Sequence, residues 1–224
     1  MKALLPNLIT SVRFLLALVF CVLLENYQHT KDGPRVLLDV AFSIFVFTAV
    51  TDILDGYLAR RWNQESTFGR ILDPLVDKVL VIGAFLYLAS DHFAVVENGR
   101  MVNASHVAVW MVVLILIREL LVTGLRGFSE AQGLAFRATI PGKLKMFVQC
   151  WAAGATMMIT SHLSDLGDSA QVFWSRVRTL SLWAMVLVTF FSMLVYVARA
   201  RVLFTMAMKG RGGEASPPSA PKKD

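Results

Sequence analysis

Four aspartates fall within the 26 residues from Asp52 to Asp77, in the stretch TDILDGYLARRWNQESTFGRILDPLVDK that runs from Thr51 to Lys78. On a helix, residues three or four apart share a face. Asp52 and Asp55 therefore share one, with Gly56 and Ala59 beside them, and Gly69, Asp73 and Asp77 share one on the helix that follows. The turn between the helices is short, so the two faces can meet. This arrangement is costly without a purpose. Like charges four apart repel, and carboxylates among apolar residues are expensive unless something positive meets them. A divalent cation with oxygen ligands is the natural partner, and Mg²⁺ typically combines carboxylates with substrate phosphate. Two such ions ~4 Å apart can hold both the attacking and the leaving oxygen of a phosphoryl displacement. Gly56, Ala59 and Gly69 would let a charged ligand approach the backbone. A plainer reading makes the aspartates solvated helix-end acids balanced by Arg60, Arg61, Arg70 and Lys78. It serves for any one of them, but it does not account for four at these spacings with two glycines and an arginine.

Composition sets the elements that must carry these residues. Of the 224 residues, 56% are hydrophobic and 17% charged, against ~25% charged in soluble domains. A water-soluble globule of this length could not bury so much apolar surface, and so apolar a chain is not disordered. Stretches about as long as the ~20 residues that span a bilayer occur at 8–24, 36–58, 71–89, 107–125, 146–159 and 180–204. The fold class expected is all-α: a polytopic membrane protein with six transmembrane helices over residues 1–209. The Gly-, Pro-, Ser- and Lys-rich tail at 210–224 is expected to be disordered. A signal-peptide reading of the first stretch fails because Leu24-Glu25-Asn26-Tyr27 follows it in place of a small-residue cleavage pattern. With the N-terminus inside, 17 of the 22 Lys and Arg belong to inner segments and 5 to outer ones. Both termini and the aspartates are therefore expected on the cytoplasmic face. The net charge of +6 is then anchoring to membrane lipid, and no nucleic-acid partner is expected. Cys21 and Cys150 read as small buried hydrophobes. His29, His92, His106 and His162 have no metal-ligand spacing.

A second polar group lies further along. Arg118 interrupts the apolar run VVLILIRELLVTGL, and an arginine at such depth is usually buried in protein and paired. Glu119 is adjacent in sequence and is not expected to share its face. Arg126 lies eight residues on, and Lys143 and Lys145 open the next span. Together they can form a basic pocket opposite the aspartates, suited to an acceptor that carries phosphate. The alternatives are a structural ion pair for Arg118 and positive-inside anchoring for the lysines. Near the start, in Pro6-Asn7-x2-Thr10-x2-Arg13, Asn7 can cap the first helix and Pro6 can set its entry angle.

The pattern Asp52-x2-Asp55-Gly56-x2-Ala59-Arg60-x8-Gly69-x3-Asp73-x3-Asp77 resembles, without a departure, the signature of the CDP-alcohol phosphotransferases. The resemblance implies six helices around a cytoplasm-facing polar cavity in a bacterial inner (cell) membrane, and commonly a homodimer. It implies two Mg²⁺ (or Mn²⁺) ions held by Asp52, Asp55 and Asp73, with Asp77 as catalytic base and contributor to a metal. It also implies a CDP site formed by Gly56, Ala59, Arg60, Ser66 and Gly69. The Asn7, Thr10 and Arg13 start resembles that of family members that pass the phosphatidyl group of CDP-diacylglycerol to glycerol 3-phosphate, in which the Asn and Thr face the nucleotide cavity. Arg118-Glu119 with Leu125-Arg126, and Gly142-Lys143-x-Lys145, resemble motifs of the same members, with Met146 where Thr is usual and Gly127 where Glu often follows. Within the family the rival acceptors are inositol 1-phosphate and phosphatidylglycerol. From other classes, an intramembrane prenyltransferase would need a second aspartate-rich span, and only Asp165 and Asp168 follow, in a loop. A transporter would be expected to show a repeat, and the sequence has none.

Overall fold

The computed structural model describes residues 4–30, 35–62, 67–97, 99–131 and 140–212, with side chains described at 10–30, 35–51, 75–97, 99–131, 142 and 144–201. Among these are six α-helices: α1 (Leu4–Glu25), α2 (Val36–Trp62), α3 (Thr67–Leu88), α4 (Val109–Ala131), α5 (Ile140–His162) and α6 (Asp168–Gly212). One helix stands at each expected apolar stretch, and all six run past it at the end that carries the aspartates: α1, α3 and α5 begin early, while α2, α4 and α6 finish late. α6 also begins early at the other end, at Asp168 in place of 180, and α5 runs on there to His162. Hydropathy marks only the apolar layer. Arg, Lys, Glu and Ala at its edge are good helix formers and carry the helix past it, and Pro141 sits in the first turn of α5, where a missing N–H costs nothing. Among the described residues, one stretch is long and apolar enough to cross a membrane, the 34 residues Asp168–Arg201 of α6; Val36–Thr51 of α2 is a shorter apolar run.

The helices close on themselves. α1 packs on α2 and α3, α2 on α5, α5 on α6, α6 on α4 and α4 on α3, a ring in the order α1-α2-α5-α6-α4-α3, with α3 and α5 also touching. Phe20 of α1 and Phe45 of α2 are fully buried, with ring centroids 5.6 Å apart. Leu38 of α2 joins them, and Phe85, Ile115, Met157 and Leu182 continue the core from the other helices. The outward faces are also apolar: Leu15, Val22, Leu120, Phe147, Leu180 and Phe191 are 60–69% exposed. Thr48, Gln149, Thr156, Thr189 and Ser192 are meanwhile buried.

At the end away from the aspartates, the connection from α3 to α4 contains a β-hairpin. β1 (Ala94–Glu97) pairs antiparallel with β2 (Arg100–Asn103), with Ala94 opposite Asn103 and Glu97 opposite Arg100. The sequence between the paired strands is Asn-Gly, the dipeptide that two-residue hairpin turns favour, and Gly99 has φ +75°. Asn103 Nδ2 and Ser105 Oγ both donate to the Leu88 carbonyl, at 3.0 and 2.6 Å, which satisfies a backbone group that the end of α3 leaves open. Gly99→Ala is expected to cost the hairpin about 1–2 kcal/mol, the penalty of a left-handed Cβ. Amide exchange at 94–103 should accelerate while the midpoint of global unfolding stays close to wild type.

Candidate active site

The overrunning end carries the residues with chemistry. Asp52 and Asp55 lie in the last turns of α2, four residues at 63–66 connect it to α3, and Asp73 and Asp77 follow within the first three turns of α3. The side chains of Asn7, Asp52, Asp55, Gly56, Ala59, Arg60, Gly69, Asp73 and Lys143 lie outside the described residues, as does Ser66 altogether. Asp77 is 28% exposed and accepts a hydrogen bond from Arg13 Nη2 at 3.0 Å. Arg13 comes from α1 and is itself buried, as is Thr10 one turn earlier on the same face. Sequence reasoning had given Arg13 no role of its own. A charge-assisted bond to a guanidinium is among the stronger side-chain contacts, and here it fixes the carboxylate expected to act as base. Lys78, a neighbour that could have neutralised the acids, instead donates to Thr123 Oγ1 of α4 at 2.7 Å.

A second charged cluster joins α4, α5 and α6. Arg118, Glu119 and Lys145 are all buried. Arg118 Nη1 donates to Glu119 Oε1 at 2.8 Å and Nη2 to Ser192 Oγ at 2.9 Å, with the guanidinium 5.3 Å from the centroid of the Tyr196 ring. Lys145 Nζ donates to the same Glu119 oxygen. One turn on, Gln149 Nε2 donates to Thr189 Oγ1 at 3.1 Å. The expectation that Arg118 and Glu119 stay apart because they are sequence neighbours is thus corrected. Neighbouring Cβ atoms do diverge, but an arginine stem is long enough to curl back, and with α5 and α6 closing over both residues a shared carboxylate is the available counter-charge. Of the residues expected to form the basic pocket, Arg118 and Lys145 meet about Glu119 and Arg126 is exposed. Met146 lines an apolar groove of about 630 Å³ with Phe42, Phe45 and Trp151, so the departure from Thr falls on the wall of that groove. Glu119 is the residue that sequence reasoning passed over. Its signal was available, since an acid within an apolar run, like Arg118 beside it, needs a partner in the protein.

The CDP-alcohol phosphatidyltransferase family model matches residues 3–191. The chain belongs to that family. It is 32% identical over 181 residues to a Cereibacter sphaeroides protein named CDP-diacylglycerol–glycerol-3-phosphate 3-phosphatidyltransferase, covering 79% of this chain and 74% of that one. A Bacillus subtilis protein of the same name is 32% identical over 186 residues, 77% of this chain and 90% of the relative. A Mycobacterium tuberculosis protein named as a probable phosphatidylglycerophosphate synthase is 33% identical over 196 residues, 88% of this chain and 81% of the relative.

The four aspartates of α2 and α3 offer only carboxylates, the hard oxygen chemistry that suits Mg²⁺ and Mn²⁺. Asp77 keeps part of its surface open while Arg13 holds it. The residues present therefore fit divalent cations. Glu119→Gln would leave Arg118 and Lys145 as buried cations without their carboxylate, and it is expected to destabilise the fold by about 3–5 kcal/mol. Unfolding of the purified variant in detergent would measure this, and Lys145→Met added to it should recover part of the loss.

Proposed function

We propose that the chain transfers the phosphatidyl group of CDP-diacylglycerol to glycerol 3-phosphate, giving phosphatidylglycerol phosphate and CMP. The observation that carries this is the eight-position carboxylate signature ending on Asp77, in a chain whose similar relatives bear that enzyme's name. Asp77, oriented by Arg13 through Oδ1, would accept the proton of the primary hydroxyl of glycerol 3-phosphate. The freed oxygen attacks the β-phosphorus of CDP-diacylglycerol. A new P–O bond forms, the bond from that phosphorus to the bridging oxygen breaks, and CMP leaves with the electron pair. Two divalent cations, held by Asp52, Asp55, Asp73 and Asp77, would supply charge neutralisation for the diphosphate when bound. Asn7, Thr10, Gly56, Ala59, Arg60, Ser66 and Gly69 would hold the CDP part. Arg118, Arg126, Lys143 and Lys145 would meet the acceptor phosphate. Glu119 sets the geometry of two of these cations, as their shared partner.

The same reading places the six helices across a bacterial inner membrane, with the polar cavity, both termini and the 210–224 tail on the cytoplasmic side. Support comes from the outward apolar side chains, the long apolar stretch of α6 and the excess of Lys and Arg toward the overrunning end. The lipid substrate gives that placement a reason, since acyl chains stay in hydrocarbon while headgroup and nucleotide reach water. By family resemblance it works as a homodimer. Purified protein with Mg²⁺ or Mn²⁺ is expected to release CMP only when both substrates are present, and chelation should stop it. Asp77→Asn should lower the rate by at least ~10²-fold, the usual worth of a general base. An acceptor panel read by product mass would overturn the assignment if inositol 1-phosphate or phosphatidylglycerol were used and glycerol 3-phosphate were not.

A further inference from the structure

At the end of the ring opposite the aspartates, the α1–α2 connection, the hairpin and the start of α6 enclose a polar cavity of about 310 Å³. Its lining includes His29, Arg35, Glu97, His106, Thr160 and Arg178. Arg178 is 2% exposed. Its Nη1 donates to the Ala104 carbonyl at 2.6 Å and to Thr160 Oγ1 at 3.4 Å, while its buried Nε, like that of Arg118, has no hydrogen-bond partner among the described residues. Among the described residues Arg178 enters no ion pair, whereas the buried Arg13 and Arg118 each meet a carboxylate, at 3.0 and 2.8 Å. Arg35 is already committed to Asp165 and to Ser164 Oγ. Burial, then Arg35 and Arg178 at His29 and Arg178 at His106, push the two imidazoles below their ordinary range, with Glu97 opposing at His106. Arg35 is thus matched by Asp165, and Arg178 and Glu97 are the cation and the carboxylate left lining this space, with no ion pair between them among the described residues.

We propose that this cavity binds a phosphate-class anion with Arg178 as its counter-charge. Burying a cation without an opposite charge costs several kcal/mol, and a guanidinium edge with an unused N–H matches phosphate geometry better than any other side chain. The cavity lies away from the aspartates, so the inference does not depend on the transferase reading. Free phosphate and the headgroup of an anionic lipid share this chemistry.

The test is thermal unfolding of the full chain. One arm uses detergent with inorganic phosphate titrated against chloride at constant ionic strength. The other uses phosphatidylcholine nanodiscs with and without phosphatidylglycerol. The quantity read is the rise in Tm of wild type beyond that of Arg178→Gln, which cancels any contribution from the opposite end. A difference of about 2–4 °C at saturation is expected. Found with inorganic phosphate, it identifies a free anion; found only with phosphatidylglycerol, a lipid headgroup. Should Arg178→Gln not fold, Arg178→Lys keeps the charge without the fork and should weaken the apparent Kd about tenfold. Glu97→Gln should keep or enlarge the wild-type shift. Equal shifts in wild type and the Arg178 variant, or no shift in either arm, would overturn the proposal. So would loss of the shift in Glu97→Gln together with a lowered starting Tm, which would make Glu97 the resident counter-ion.

Discussion

Burying an ionised group among apolar helices costs several kcal/mol unless another charge or a set of hydrogen bonds meets it, and the arrangement of the six helices follows from how that cost is met. Arg13 on α1 finds Asp77 on α3. Glu119 on α4 serves both its neighbour Arg118 and Lys145 on α5, while Arg118 also reaches Ser192 on α6. These contacts join helices far apart in sequence, and each removes a penalty that apolar packing alone would leave in place. Packing is non-directional and tolerates sliding. Charged pairs with defined donors and acceptors do not, so they set the register of the ring.

The two ends of the ring solve different problems. At one end the helices run on past the apolar layer into a zone of carboxylates, arginines and lysines. At the other end the connections are stitched down. The hairpin covers the end of α3 through Asn103 and Ser105. Ser161 of α5 donates to Asp39 of α2 at 2.7 Å, and Arg35 ties the start of α2 to Asp165. The far end is thus held by side-chain hydrogen bonds and an ion pair, and the near end by the contact of Arg13 with Asp77.

Much of this was legible in the sequence, because it rests on local periodicity. The six apolar stretches located the six helices, and the three- and four-residue spacings put the aspartates of each pair one turn apart. The helix ends were less legible, since hydropathy falls off where Arg60, Lys143 or Arg199 begin while helix propensity does not. The hairpin went unread although Asn98-Gly99 between short apolar stretches is its standard signal; four-residue strands are too short to stand out between long apolar runs. Glu119 was set aside by a rule that describes Cβ directions and not the reach of an arginine.

Spacing and composition alone determined that the chain is helical and that four aspartates fall one turn apart in pairs on consecutive helices, the pattern from which a divalent-metal phosphoryl transfer was expected. These depend on residues within a few turns of one another, where backbone geometry dictates who is near whom. Only the tertiary structure decided that Arg13, 64 residues from Asp77, meets it, that one glutamate serves two cations, and that Arg178 is buried with no ion pair among the described residues. Which helix packs on which is a global outcome of closing the ring, and a long-range ion pair exists only once that closure brings its two side chains to the same depth.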